Sequence, residues 1–236
     1  MRPRYTLFFT IGLILFIVLV NNEQEKPVKK TIPDSAYASM LIPAVDDKGD
    51  GIITNLTVQV KQGEGRSLVD INDLFFWVDV QNSIRTAKDV AQKFTDAELQ
   101  NYDIIYSIIA NASAVEGPSA GAAIAIATIT ALENKTLRHD VLITGTIEPD
   151  GSIGKVGDVA QKAAAAKSLN ATLFLVPSGQ SVSAEIGYEK ACKIYFASKI
   201  CSSQWRTKSI DLEKTIGISV VEVKDISEAM TYMVVQ

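Results

Sequence analysis

The chain holds one histidine, His139, and two cysteines, Cys192 and Cys201, in 236 residues. His139 lies in the polar stretch 134–140, between elements, and reads as a solvated surface residue. That leaves any serine chemistry without the usual imidazole base. Positive charge is also scarce: 23 Lys and Arg stand against 27 Asp and Glu, a formal net charge of −4. No basic patch interleaves with aromatics, which argues against nucleic acid as a partner. No GxxxxGK[ST] phosphate loop occurs. The nearest look-alike, Gly151-Ser152-Ile153-Gly154-Lys155-Val156, has the wrong spacing and lacks the Ser/Thr. No internal repeat appears, and no metal or cofactor is called for. The two cysteines are open between a disulfide and two free thiols, because on one continuous helix residues nine apart face opposite sides.

Long apolar runs are confined to one place. Tyr5 to Val20 follows Arg2 and Arg4 and has no polar face. As a helix its sixteen residues span about 24 Å, slightly less than the ~30 Å hydrocarbon core. The missing Ala-x-Ala cleavage site favours a retained membrane anchor over 1–21 rather than a cleaved signal peptide. Basic residues flank the run on both sides, so orientation is open. Asn-x-Ser/Thr triplets at Asn55, Asn111, Asn134 and Asn170 tilt the reading toward an extracytoplasmic domain.

Residues 22–50 are charged and carry Pro27, Pro33 and Pro43, which reads as a linker. The folded domain is then 51–236. Ile52–Lys61 alternates as a strand, and Arg66–Ile71 is expected to complete a hairpin with it. A helix is expected over Asn82–Gln100, a strand over Tyr102–Ala110, and a buried helix to Leu132. Further on come a strand over Asp140–Ile147, a helix over Val156–Leu169 and a strand over Ala171–Val176. A helical excursion over Ser183–Ser202, a strand over Ile218–Val223 and a helix over Ile226–Met233 complete the chain. The pattern implies the α+β class, a two-layer mixed α/β domain.

The chemistry centres on Glu116-Gly117-Pro118-Ser119-Ala120-Gly121. Gly-Pro forces a tight turn, and Ser119 begins a helix whose first N–H groups have no intrahelical acceptor. The N–H groups of Ser119 and Ala120 are therefore candidate donors to an oxyanion. A hydroxyl is a poor nucleophile until a base takes its proton. Lys162 is the candidate base, since Val159, Ala165, Ala166 and Leu169 share its helical face. A lysine among such neighbours is desolvated, which lowers its pKa toward neutrality. Taken alone, the turn also reads as an ordinary helix N-cap, and Lys162 as a snorkelling side chain. Lys155 and Lys167 read as solvated charges.

The motif resembles the nucleophile motif of the Lon proteases, normally Asp-Gly-Pro-Ser-Ala-Gly. Thr144-Gly145 is similar to that family's next motif, and Gly157–Ala166 to the helix bearing its lysine, with matching order from about Gly51 to Pro177. The resemblance implies a serine endopeptidase with Ser119 as nucleophile, Lys162 as general base, and Thr144 orienting the amine. Glu116, Gly117 and Pro118 support the turn, with Glu116 where the family has Asp. Its substrates would be peptides or unfolded protein, and its assembly a homohexamer. The family's ATPase module is absent from this sequence, so activity is expected to be ATP-independent. Two other classes compete: a membrane-tethered scaffold of the same fold, and a phosphate-binding small-molecule kinase, which would give Lys162 no role.

Overall fold

The computed structural model describes residues 32, 35–70, 75–76, 78–110, 114–115, 117–195 and 198–235. A four-stranded sheet in the order β1-β2-β5-β3 is built from β1 (Ser35–Val45), β2 (Gly51–Gln62), β5 (Tyr102–Ala110) and β3 (Ser67–Val69). Ile32–Gln236 is one compact unit, so the domain begins earlier than Gly51. Residues 35–45, expected in the linker, pair with β2 in unbroken antiparallel register from Ser35↔Lys61 to Val45↔Gly51. Ala36, Ala38, Met40, Ile42 and Ala44 are buried along that strand. The alternation that marks β1 is written largely in alanine, a weak strand former. Pro43 is tolerated because β1 is an edge strand.

The expected hairpin of Ile52–Lys61 with Arg66–Ile71 does not form. β3 pairs instead in parallel with β5, because the chain turns under Asp103. That carboxylate accepts the N–H groups of Glu64 and Arg66, both at 2.9 Å, and the Arg66 guanidinium at 2.7 Å. The Arg66 side-chain hydrogen bond holds the Asp103 carboxyl well below the usual carboxylate range. This stabilises the turn above that range and is lost as acid protonates Asp103.

Helix α1 (Val78–Thr95) presents Val80, Ile84, Ala87, Val90 and Ala91 to the core. It packs against α2 (Gly121–Glu133), whose residues Gly121 to Leu132 are all buried. A helix apolar on every side has no solvent face to offer, and its other neighbours include β1 and β2. Asn134 ends it at φ 51°, a left-handed position that asparagine tolerates. Beyond it a parallel sheet in the order β13-β10-β7 joins β7 (Val141–Ile143), β10 (Leu173–Pro177) and β13 (Ser219–Val223). Helices α3 (Val159–Ser168), α4 (Leu212–Ile216) and α5 (Ile226–Met233) complete the mixed α/β unit, with two-stranded pairs of β4 (Phe75–Phe76) with β6 (Ala114–Val115) and β8 (Thr146–Ile147) with β9 (Ile153–Gly154).

The excursion expected to be helical is a hairpin. β11 (Val182–Tyr195) pairs antiparallel with β12 (Ser198–Asp211) over fourteen register pairs. Among the described residues it joins no other strand. Tyr188 stands opposite Trp205, and Cys192 opposite Cys201, where a disulfide closes. The strand register supplies the adjacency that a helix would have denied. An isolated two-stranded ribbon is marginal in water, so the cross-link is a staple. Cys192→Ser with Cys201→Ser is expected to speed amide exchange across 182–211 and leave exchange in α2 unchanged, measurable by hydrogen exchange with mass spectrometry.

Among the described residues, no helix is long and apolar enough to cross a membrane. The anchor expected over 1–21 lies outside them.

Candidate active site

Two segments meet at Ser119, and a third carries Lys162. The first is its own turn. Gly117 takes φ 88°, open to glycine and costly for other residues, and Pro118–Ala120 forms one 3-10 turn that runs into α2. Ser119 is half-buried at that junction. Glu116 lies outside the described residues. The N–H of Gly121 bonds Pro118 O and that of Ala122 bonds Gly145 O at 3.0 Å. The Ser119 and Ala120 N–H groups named as oxyanion donors come just before these committed ones.

The second segment is Thr144-Gly145. The sequence reads as one strand from Asp140 to Ile147, yet the ladder breaks after Ile143. The Thr144 N–H still reaches Leu175 O at 3.1 Å, but the Gly145 N–H turns to Ser119 O at 3.0 Å. The fully buried Thr144 hydroxyl donates to the same carbonyl at 3.5 Å. Thr144 is thus tied to the Ser119 backbone, whereas the family resemblance implied a role at the lysine amine. β8 (Thr146–Ile147) resumes afterwards, paired with β9 (Ile153–Gly154). The break is what brings the strand end to the Ser119 turn.

The third segment is α3. Lys162 is 5 % exposed, with Val159, Ala163, Ala165 and Ala166 also buried on that helix. Leu169, expected on the same face, is exposed because the helix ends at Ser168. Burial pushes the Lys162 amine below its ordinary 10.5, while the nearby Asp158 charge pulls weakly the other way. Its Nζ donates to Gly157 O at 3.0 Å and makes no hydrogen bond with Ser119. The helix starts from Asp158 at φ 55°, without a side-chain cap. Lys155, Lys167 and His139 are exposed, as their sequence context implied.

One contact that fixes α3 escaped the sequence reading. Gly51, at the start of β2, lies so close to the helix that a Cβ there would sit 2.2 Å from Gln161 O. Gly51 read only as the start of the folded domain, and the close approach of strand and helix gives it this duty. Gly51→Ala forces β2 and α3 apart next to Lys162. Overpacking of this kind costs about 1–3 kcal/mol, and a lowered thermal midpoint with reduced peptide hydrolysis is the expected result.

Residues 78–187 match the family model of the Lon protease (S16) C-terminal proteolytic domain. That span contains Ser119, Thr144 and Lys162. The archaeal Lon protease of Methanocaldococcus jannaschii is 29% identical over 142 residues, covering 57% of this chain and 22% of that protein. The archaeal Lon protease of Thermococcus kodakarensis is 26% identical over 114 residues, 48% of this chain and 18% of that protein. Lon protease 1 of Herpetosiphon aurantiacus is 36% identical over 78 residues, 33% and 10% of the two chains. The chain therefore aligns with a fifth or less of Thermococcus kodakarensis and Herpetosiphon relatives' length, and slightly more of the Methanocaldococcus one.

Proposed function

We propose that this chain, which carries a Lon-type proteolytic domain in residues 78–187, hydrolyses peptide bonds in unstructured polypeptides with Ser119 as nucleophile and Lys162 as general base. The observation that carries the reading is Lys162 itself. It is the one charged side chain among the buried residues of α3, its amine is pushed toward the neutral form, and it belongs to the same matched segment as the Gly-Pro-Ser turn.

The proposed steps follow from this. In the neutral amine, one N–H goes to Gly157 O and the nitrogen lone pair is left for a proton. With substrate bound, the Lys162 side chain rotates to meet Ser119; hydrogen bonds of catalytic groups commonly close only in that complex. Ser119 Oγ attacks the substrate carbonyl as its proton passes to Lys162 Nζ. The oxyanion is stabilised by the Ser119 and Ala120 N–H groups, whose carbonyl-side neighbours are fixed by Gly145 and Thr144. The Lys162 ammonium returns the proton to the leaving amine, and water repeats the sequence to release the acyl group.

Hydrolysis is proposed to need no ATP and to be limited to peptides and unfolded segments. A fluorogenic-peptide or casein assay without nucleotide tests this. Activity in the wild type, absent in Ser119→Ala and retained in His139→Ala, is the expected pattern. A folded wild type that hydrolyses neither substrate, with or without ATP, contradicts it and favours a scaffold of the same fold.

A further inference from the structure

A chain of hydrogen bonds outside the proposed chemistry ends on the Lys162 amine. It starts on β13, where the two carboxylate oxygens of Glu222 accept the N–H groups of Gly179 and Ser181 at 2.8 and 2.9 Å. The Ser181 side-chain hydrogen bond, with those two backbone bonds, holds the Glu222 carboxyl down to about 2. The Gln180 N–H bonds Pro177 O at 3.1 Å, so the turn after β10 is pinned from both sides. The side chain it carries faces Val156. Gln180 Oε1 accepts the Val156 N–H at 3.0 Å, and Gln180 Nε2 donates to Val156 O at 2.7 Å. One carboxamide therefore holds both backbone groups of one residue.

The next residue is Gly157, whose carbonyl accepts the Lys162 amine at 3.0 Å. On its other side, the Asp158 carbonyl accepts the Lys162 backbone N–H at 3.1 Å. Gly157 is exposed, and a Cβ there would meet nothing within 4 Å. Asp158, which follows, is exposed and offers no side-chain cap.

We propose that Gln180 is a positioning residue for Lys162: its carboxamide clamps Val156 and thereby fixes the Gly157 carbonyl that aims the amine. This rests on the reading of Lys162 as the base of Ser119. A neutral amine has one lone pair, so the acceptor that takes an N–H decides where the lone pair points. Loss of the clamp lets the carbonyl swing, and misplacement by about 1 Å can cost roughly 10²-fold in rate. Leucine fills the space of Gln180 without either bond. Glutamate keeps an acceptor for the Val156 N–H but has no N–H for Val156 O when ionised.

The test compares the full chain with Gln180→Leu and Gln180→Glu. One readout is kcat and KM on a fluorogenic peptide. The other is competitive acetylation of lysines by acetic anhydride across pH, read by mass spectrometry, which titrates Lys162 without needing activity. Both variants are expected to lose tenfold or more in kcat, with KM within twofold. The Lys162 labelling midpoint moves, with Asp158 the native carboxylate acting on it. If Gln180→Leu does not fold, Gln180→Glu carries the same expectation. A Gln180 requirement that is merely structural would lower the thermal midpoint and leave the Lys162 midpoint and kcat unchanged, which overturns the proposal. A wild type without peptidase activity sinks the base reading alone; a Lys162 midpoint unmoved in either variant sinks the positioning role, whatever the activity.

Discussion

Lys162→Met is expected to lower kcat for peptide hydrolysis by about 10²–10⁴-fold, the usual contribution of a general base, while the protein becomes more heat-stable. The two effects come from one cause. In the folded chain Lys162 is 5 % exposed and its proton is disfavoured by burial. Unfolding returns the amine to water, where it binds a proton at its ordinary 10.5. Between the depressed folded value and 10.5 the unfolded chain holds more protons, so stability rises with pH across that window. Below it, the buried amine weakens the fold. Methionine has a similar length and no charge to desolvate. Each kcal/mol gained should raise the thermal midpoint by roughly 2–4 °C for a chain of this size. A calorimetric scan at neutral pH beside a peptide assay reads both signs. A variant that loses activity and stability together would mean that Lys162 holds the fold together, and one that loses neither would leave it without a role.

The second large effect is in the pH dependence of the wild type. A lysine base works only when neutral, so kcat/KM is expected to rise tenfold per pH unit below the Lys162 pKa and to level off above it. Because burial lowers that pKa, the plateau should begin well below ~10.4, the value of a free lysine. Asp158, which acts in the opposite sense, offers a control: Asp158→Asn removes the nearby negative charge and should move the midpoint further down. A wild-type profile still climbing beyond pH 10 would place Lys162 in solvent.

How far the sequence carried this reading differs from element to element. Helix α2 and strand β5 were legible because an all-apolar Ala/Ile run and a β-branched, aromatic run leave few alternatives. Helix α5 was expected over the residues it occupies, Ile226–Met233. Ser119, Thr144-Gly145 and Lys162 were read as a set only through their resemblance to the Lon motifs, and the three lie in the span that matches the Lon proteolytic domain. What the sequence concealed was tertiary. β1 reads as a linker because alanines alternate too quietly to mark a buried face, and only the long register with β2 makes it part of the sheet. The β11–β12 hairpin was hidden because its apolar residues fit neither period cleanly, so the choice between a Cys192–Cys201 disulfide and two free thiols stayed open until the register was seen. The Thr144-Gly145 break and the Gln180 clamp involve partners 25 and 24 residues away. No local pattern reports such a bond.

The central claim is a serine hydroxyl deprotonated by a buried amine, and the reaction of Ser119 with a fluorophosphonate reads it without knowledge of any substrate. The modified residue is identified by mass spectrometry in the wild type, Lys162→Met and His139→Ala. Stoichiometric modification of Ser119 in the wild type and His139→Ala, with a rate that follows the Lys162 titration and falls at least 10²-fold in Lys162→Met, is the predicted result. Equal labelling rates with and without Lys162, in variants that remain folded, would contradict it.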